Sequence, residues 1–173
     1  MKDTELRLIS ELIKGSRRSD RELAKAIGVS QPTVTRIRTR LEKEGIVKEY
    51  TMIPDFSKIG FAIMAVTFVK FSGQPSEQKI EELKSIAQEF QRRSTFPTAM
   101  IMAGMGLGFD RIIVSLHEDY SSYSRFLTLS RQLSTQGIAS IESFVINLCD
   151  KSHYQPLTMA SVGKYLLEQR ERE

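Results

Sequence analysis

The sequence has few of the residues that build covalent or metal frameworks. Its 173 residues include one cysteine, two histidines and no tryptophan. A single cysteine, Cys149, cannot form a disulfide within the chain, and His117 and His153 are too far apart to suggest a metal site. We interpret Cys149 as a small apolar residue near a strand end rather than a redox sensor, and both histidines as surface residues. We expect no metal, no cofactor and no catalytic residues.

Long hydrophobic runs are also absent from the sequence. No stretch approaches the ~18 apolar residues of a membrane-spanning helix. The first residues, MKDTELRLISELIKG, mix charged and apolar side chains as an amphipathic helix does and a signal peptide does not. We therefore expect a cytoplasmic protein with no membrane partner. Hydrophobic residues make up 40% of the chain, which is enough for the cores of one or two small domains.

The net positive charge of the chain lies in its first third. Between Met1 and Met52 there are 12 Lys and Arg against 8 Asp and Glu, whereas the numbers from Ile53 onward are 13 and 13. A basic module joined to a neutral one indicates that only the first binds a polyanion, with an affinity that falls as salt rises.

Two helix-start signals lie close together near the N-terminus. Ser19 and Glu22 form a capping box, in which the hydroxyl and the carboxylate each satisfy a free amide of the first turn. Gly28 ends that helix, and Ser30 begins the next, whose first turn accommodates Pro32. Two helices joined by so short a turn, with an amphipathic helix before them, indicate a helix-turn-helix.

The helix that follows Ser30 has one apolar stripe and one polar face. Val34, Ile37 and Leu41 share the stripe, and Arg38 lies near its edge, where we expect it to pack or to pair with an acid. The opposite face carries hydroxyl and cationic side chains that can read the DNA major groove or bind phosphates. We prefer this interpretation to a simple solvated face because the capping, turn and charge signals agree. The predicted DNA contacts are Gln31, Thr33, Thr35, Arg36, Thr39 and Arg40, with Lys43 and Lys48 as backbone contacts.

After Gly45 the sequence pattern changes from helical to extended. Residues 46–53, IVKEYTMI, predict a β-segment that would be the wing of a DNA-binding domain over residues 1–53. Within it, Lys48 either contacts a phosphate or is simply solvated. Residues 54–60, PDFSKIG, predict a turn-rich linker.

Beyond the linker, strand patterns alternate with helical ones. The predicted elements of a second domain over residues 61–150 are strand Phe61–Phe71, helix Glu77–Phe90, strands Thr98–Ala103 and Phe109–Leu116, helix Tyr120–Gln136 and strand Ile138–Cys149. This βαββαβ order predicts a ferredoxin-like domain. The fold class is therefore α+β, with an N-terminal winged helix-turn-helix followed by the ferredoxin-like domain.

Several of these strands are apolar in both side-chain directions. We expect one sheet face without helical cover, formed by Met64, Val66, Phe68, Met100, Met102, Ile113 and Phe144. A second copy of the chain would cover it; the alternative is that these residues all belong to the intramolecular core. A dimer would also suit DNA, because paired recognition helices read two half-sites about one helical turn apart.

Residues 151–173 exceed what the ferredoxin-like domain needs, and we treat them as a C-terminal extension. Val162, Tyr165 and Leu166 predict a short amphipathic helix that packs on a neighbouring chain. The final residues, QRERE, predict a solvated end.

The sequence resembles the Lrp/AsnC, or feast/famine, transcription regulators of bacteria and archaea. The residues that carry the resemblance are RELAKAIGVSQPTVTRIRTRLEKEGIVKEYTMIPDFSKIGF, followed by the βαββαβ order and the Gly137-Ile138 turn. The resemblance implies a regulator that binds double-stranded DNA, dimerises through its sheet and assembles further into tetramers or octamers. Because many members of the family bind an amino acid or a similar small molecule near subunit interfaces, the resemblance also implies such an effector.

The resemblance places an effector against the connection between the second and third strands. Here that segment is AGMGLGFD, in which the glycine spacing departs by one residue from the family pattern. The candidate effector residues are Gly104, Gly106, Gly108 and Asp110: glycines allow backbone amides to approach a carboxylate, and Asp110 could accept an α-ammonium. The alternative is a plain turn.

Three functions are compatible with the sequence. The preferred one is a sequence-specific DNA-binding transcription regulator, which is not an enzyme. The second is an enzyme of the same two-domain plan that handles haem precursors, for which the second domain offers no histidine at a defensible spacing. The third is an architectural DNA-binding protein that senses no ligand.

Overall fold

The structure, a computed structural model, describes residues 1–73, 76–78, 80, 81, 84, 85, 88, 92, 96–132, 137–152 and 157–168. The helices are α1 (Asp3–Lys14), α2 (Asp20–Ile27), α3 (Gln31–Lys43), a short 3-10 helix (Phe56–Ile59), α4 (Tyr120–Gln132) and α5 (Ala160–Glu168). The strands are β1 (Ile63–Phe71), β2 (Thr98–Gly106), β3 (Phe109–His117) and β4 (Ile138–Asn147). Two compact units result: Met1–Pro54 with His153–Glu173, and Asp55–Ser152.

Parts of two predicted helices lie outside the described residues. Of the segment predicted as helix Glu77–Phe90, the described residues 77, 78, 80, 81, 84, 85 and 88 are helical. Of the helix predicted over Tyr120–Gln136, the described part ends at Gln132. His153 is also outside the described residues, so its predicted surface position stays a prediction.

The core of the first unit is built from the apolar stripes of α1, α2 and α3. Leu8, Leu23, Val34 and Leu41 are fully buried there. The spacing of these residues follows the helical period, so each helix contributes one face to a common core. The helix-turn-helix predicted from the sequence is therefore present.

The predicted β-segment over residues 46–53 is not a strand. All of these residues are described, and none of them pairs in a ladder. The amides of Ile46 and Val47 instead donate to the Leu41 carbonyl at 2.9 and 3.1 Å, which closes the end of α3. A β-branched sequence forms a strand only where a partner strand is available, and the four-stranded sheet of the second unit is composed of β1 to β4.

The second unit contains a four-stranded sheet in the order β2-β3-β1-β4, with every neighbouring pair antiparallel. This confirms the predicted ferredoxin-like arrangement. On the helix-covered face, Ala65, Phe96, Tyr123 and Phe126 form the core. The first and last strands lie side by side, and the Leu148 amide donates to the Ala62 carbonyl at 2.8 Å just beyond their paired ends.

The opposite face of the sheet carries apolar side chains. Val66 lies opposite Val114 on one neighbouring strand and Phe144 on the other. Phe144 is 66% exposed and Met102 is 55% exposed. Ile113 was expected on this face, but it packs against the helix-covered core because its position in β3 alternates with that of Val114.

The predicted surface position of His117 is wrong. Its side chain is 1% exposed, and its ring lies 5.2 to 5.8 Å from the rings of Phe96, Tyr123 and Phe126. Since its position in β3 points to the helix-covered face, the aromatic residues enclose it. Burial lowers the pKa of the imidazole.

The predicted C-terminal helix is present as α5. It packs on α1 of its own chain, whereas the sequence predicted packing on a neighbouring chain. The last strand ends at Asn147, two residues before the predicted end at Cys149, and Cys149 is exposed near this strand end. Among the described residues, no helix is long and apolar enough to cross a membrane, and no cluster of ligands suits a metal ion.

Candidate nucleic-acid interface

The third helix differs from the other two in the charge of its first turn. The first turns of α1 and α2 contain acidic residues, Asp3 and Glu5 in one and Asp20 and Glu22 in the other, whereas that of α3 contains none. Its last turn carries Arg40 and Lys43. Because the N-terminal end of a helix has a partial positive charge, α3 is the one among α1, α2 and α3 that presents this charge without a neutralising carboxylate in its first turn. Its N-terminal end is thus suited to face a phosphate.

Most of the predicted DNA-contacting side chains are available to a ligand. Gln31, Arg36, Thr39, Lys43 and Lys48 are exposed, and within the described part of the chain no hydrogen bond or ion pair engages their side chains. Four of them lie on α3, whose opposite side is buried in the core. These groups can therefore donate hydrogen bonds to base edges or phosphates without breaking a contact of the folded chain.

A second group of polar side chains on α3 is held by α2. The Thr35 hydroxyl donates to Asp20 Oδ2 at 2.6 Å, and Arg38 Nη1 lies 2.9 Å from Asp20 Oδ1. The expectation that Arg38 pairs with an acid is confirmed. Asp20 thus joins the first turn of α2 to the middle of α3, and fixes the angle at which α3 is presented.

Tyr50 extends this arrangement beyond the end of α3. The Arg38 guanidinium lies 5.6 Å from the centre of its ring, and its hydroxyl donates to Glu42 Oε1 at 2.6 Å. Burial and the Glu42 carboxylate raise the pKa of Tyr50 to about 12. The segment that follows α3 is therefore attached to the helix by side chains instead of by a β-ladder.

Arg40 is engaged by acidic groups in the folded chain. It forms an ion pair with Glu5 of α1, and its Nε lies 3.6 Å from Glu44 Oε1. The Glu5 side chain is only 9% exposed and also accepts from the Lys2 amide at 3.1 Å. The hydrogen bond from Arg40 holds the pKa of Glu5 below its usual value. Of the predicted contacts, Arg40 is thus the one whose charge is most fully compensated within the chain.

A groove of about 360 Å³ lies beside α3, between this helix and the start of α1. Thr33 and Arg36 line one side of it, and Lys2 and Thr4 line the other. Thr33 Oγ1 lies 2.8 Å from Ser30 Oγ, so these two hydroxyls at the start of α3 form a hydrogen bond with each other. The groove is also lined by Glu5, whose carboxylate is paired with Arg40, so its remaining cations and hydroxyls suit an anionic oxygen.

Three exposed cations of the first unit were missed in the sequence analysis. Lys2 lies on the groove, and Arg17 and Arg21 are exposed just before and at the start of α2. In helix-turn-helix proteins the first helix of the pair crosses the DNA backbone, so this is a place for phosphate contacts. The run RRSDR was the available signal.

The candidate effector residues lie in a tight hairpin. Gly106 pairs with Phe109, and the two residues between them, Leu107 and Gly108, have positive φ angles of 53° and 79°. This is the geometry of a two-residue hairpin turn. Gly104, also a candidate, belongs to β2, which extends to Gly106 instead of ending at residue 103 as predicted.

Asp110, the fourth candidate, has a partner within the chain. Its Oδ2 accepts a hydrogen bond from the Phe71 amide at 2.8 Å, which ties the end of β1 to the start of β3. Gly106, Gly108 and Asp110 are thus brought to one end of the sheet, where one carboxylate oxygen is already used.

The first 48 residues match a sequence model described as winged helix-turn-helix DNA-binding. The regulator LrpC of Bacillus subtilis, an HTH-type transcriptional regulator, is 42% identical over 62 residues, which cover 36% of this chain and 43% of that protein. Its solved structure covers 90% of this chain and 99% of its own, with a TM-score of 0.67 and 24% identity.

Two further solved structures share the fold. An AsnC family transcriptional regulator from Agrobacterium tumefaciens aligns with a TM-score of 0.70 at 16% identity, covering 91% of this chain and 95% of its own. A transcriptional regulator from Neisseria meningitidis, in a complex with L-Met, aligns with a TM-score of 0.69 at 19% identity, covering 94% and 99%. These matches confirm the resemblance predicted from the sequence and the two-domain fold.

Proposed function

Since the chain resembles the Lrp/AsnC transcription regulators in sequence and in fold, we propose that it is a sequence-specific DNA-binding regulator with α3 as its recognition helix. The observation that carries the proposal is the charge distribution on α3. Its exposed face has cationic and amide side chains without partners among the described residues, and its first turn has no acid. As a protein that acts on chromosomal DNA, it would work in the cytoplasm of a prokaryotic cell.

The role proposed for each residue depends on whether its side chain is free or is held by another residue of the chain. Gln31, Arg36 and Thr39 would contact base edges, and Lys43 and Lys48 would contact phosphates. Thr33 would bind at the groove beside α3, where its hydroxyl already faces Ser30. Thr35 and Arg40 lie on the same helix but are held by Asp20 and Glu5, so they would act mainly by orienting it.

The active form would be a homodimer joined through the helix-free face of the sheet. Phe144 and Met102 are exposed on this face, and strands carrying Val66 and Val114 form its centre. Burying large apolar side chains against a second copy is favourable, and a two-fold axis would present two copies of α3 to the same duplex. By the family resemblance, these dimers would assemble further into tetramers or octamers.

Selection from a pool of random duplexes tests the proposal without knowledge of the natural operator. The protein should enrich sequences with two related half-sites whose centres lie about 10 base pairs, or a multiple of this, apart. Affinity for an enriched duplex should fall linearly on a double logarithmic plot against salt, because phosphate contacts release counterions. Enrichment of no sequence would contradict a sequence-specific function.

An amino acid would be the effector, bound at the hairpin end of the sheet. The support is the clustering of Gly106, Gly108 and Asp110, together with the L-Met complex of the Neisseria regulator, which has the same fold. Calorimetry with a panel of amino acids tests it, with an Asp110→Ala variant as the comparison. Absence of heat for every member of the panel would favour the architectural function, in which DNA is bound and no ligand is sensed.

The alternative function, handling of a haem precursor, makes a different prediction. It calls for a polar residue that substrate can reach in the second domain, whereas His117 is enclosed by three aromatic rings. A visible absorption band that appears on adding a porphyrin, and is saturable at one site per chain, would favour this alternative over the regulator.

A further inference from the structure

The C-terminal helix joins the DNA-binding unit by a close contact with α1. Ser10 of α1 is fully buried, and its hydroxyl donates to the Gly163 carbonyl at 2.7 Å. A Cβ atom on Gly163 would lie 3.1 Å from the backbone oxygen of Ser10 and 3.2 Å from Ile13 Cγ2. Both distances are shorter than most Cβ contacts in proteins, so a side chain at position 163 would push α1 and α5 apart by a few tenths of an ångström.

The contact continues along α1 towards its N-terminal end. Leu166 and Leu167 are partly buried, and they line a groove of about 360 Å³ together with Leu6 of α1 and Ile27 of α2. The next turn of α5 after Gly163 thus lies alongside α1, on a groove that the charged side chains of Asp3, Arg7 and Glu11 also line. The contact between the two helices and the buried hydrogen bond from Ser10 hold α5 in place.

α1 also carries the contacts that hold the recognition helix. On its core side, Leu8 and Leu12 pack with Leu41 of α3, and at its first turn Glu5 pairs with Arg40. A single helix therefore connects α5 on one side to α3 on the other. Loss of α5 would expose Ser10 and leave α1 supported on one face only.

The path of the chain links α5 to the sheet unit as well. The chain leaves the first unit after Pro54, forms the sheet unit over Asp55–Ser152, and returns to the first unit, where it forms α5. Within the sheet unit, the first and last strands, β1 and β4, are neighbours, and the Leu148 amide donates to the Ala62 carbonyl at 2.8 Å. A change in the sheet unit that shifts β1 against β4 would act on both connections at once.

We propose that α5 is a strap through which the sheet unit controls how firmly α3 is held for DNA. With the strap docked, α1 is fixed, and Glu5 keeps Arg40 and the end of α3 in place. With the strap released, α1 and α3 lose this support while the sheet unit keeps its own fold. The inference rests on the proposed function for its biological meaning, but the coupling between α5 and α3 exists independently of DNA.

A single substitution separates the strap from the rest of the chain. Gly163→Leu places a side chain against the Ser10 backbone and should release α5, and Gly163→Ala is a milder version should the first variant misfold. The matched control is Ser161→Leu, which adds the same side chain on the exposed side of α5. Hydrogen exchange of the full-length protein reports on each helix, and fluorescence anisotropy with a selected duplex reports the DNA affinity.

The proposal predicts faster exchange in α1 and in the last turn of α3 for Gly163→Leu, with exchange in β1 and β3 unchanged. DNA binding should weaken by about 5-fold or more, as expected for the coupling of two sites. Ser161→Leu should behave as the wild type. Unchanged exchange in α3 with release of α5 would overturn the strap. If the wild-type protein binds no DNA, the proposed function fails while exchange in α3 still decides the coupling.

Discussion

Replacing Leu107 in the β2–β3 turn should stabilise the sheet unit. Leu107 has a φ of 53°, a left-handed conformation that costs a non-glycine residue about 1 to 2 kcal/mol, and less for asparagine. Its side chain is 86% exposed, so that its removal loses little packing. Leu107→Asn should therefore raise the free energy of unfolding by about 1 kcal/mol, which is about 4 to 8 °C in Tm for a unit of this size.

Thermal unfolding followed by circular dichroism measures this effect, with all variants at one protomer concentration because dimerisation also raises Tm. The control is Gly108→Ala, which places a Cβ on the neighbouring left-handed residue, with its φ of 79°, and should lower Tm. A Tm for Leu107→Asn that is equal to or below that of the wild type would refute the reasoning. The side chain would then be packed in the assembled protein, or the turn would have another geometry.

Three further predictions concern stability and titration. Burial lowers the pKa of His117, so the folded state binds its proton less readily than the unfolded state, and stability should fall as pH drops below about 6.5; this part of the pH dependence of Tm should be absent in His117→Phe. The phenolate absorbance should include a component that titrates near pH 12 and is missing in Tyr50→Phe, and its absence from the wild type would contradict the contact with Glu42. Leu41→Ala should destabilise the first unit by about 2 to 5 kcal/mol in denaturant unfolding, since Leu41 is fully buried, and a cost below 1 kcal/mol would show that the core is packed differently.

Local signals in the sequence were sufficient for much of the first unit. Ser19 and Glu22 form the capping box that their spacing predicts, and the stripe of Val34, Ile37 and Leu41 is buried as its period requires. Each of these predictions depends on residues within one or two helical turns. The order of the strands could be predicted for the same reason, because each strand has its own hydrophobic period and the βαββαβ order permits few topologies.

The features that the sequence did not reveal depend on contacts between distant residues. Glu5 and Arg40 are far apart in the chain, and nothing in their local patterns indicates that one holds the other. From the sequence, His117 is only a residue at the end of a strand. Its burial depends on the aromatic side chains of α4, which lie against its ring. The segment after α3 has the composition of a strand but no partner, so that its conformation is decided by the end of α3 and by Tyr50.

The helix α5 illustrates the same limit. Its apolar residues predicted a helix, and the helix is present, but its partner depends on the crossing at Gly163, which a glycine in a short helix does not signal. By helix propensity alone, glycine at this position destabilises the helix by about 1 kcal/mol relative to alanine. The structure gives it a reason, because a Cβ at position 163 would lie only 3.1 Å from the Ser10 backbone oxygen.

The most direct test of α3 as the recognition helix is the effect of Arg36→Ala on binding to a selected duplex and to variants of it. The account predicts a loss of about 1 to 3 kcal/mol in binding free energy and a relaxed preference at one base pair in each half-site. Arg125→Ala, which removes the same charge from the exposed side of α4 in the sheet unit, should change neither quantity. Equal affinity and equal base preference for Arg36→Ala and the wild type would contradict the assignment of α3 as the helix that reads DNA.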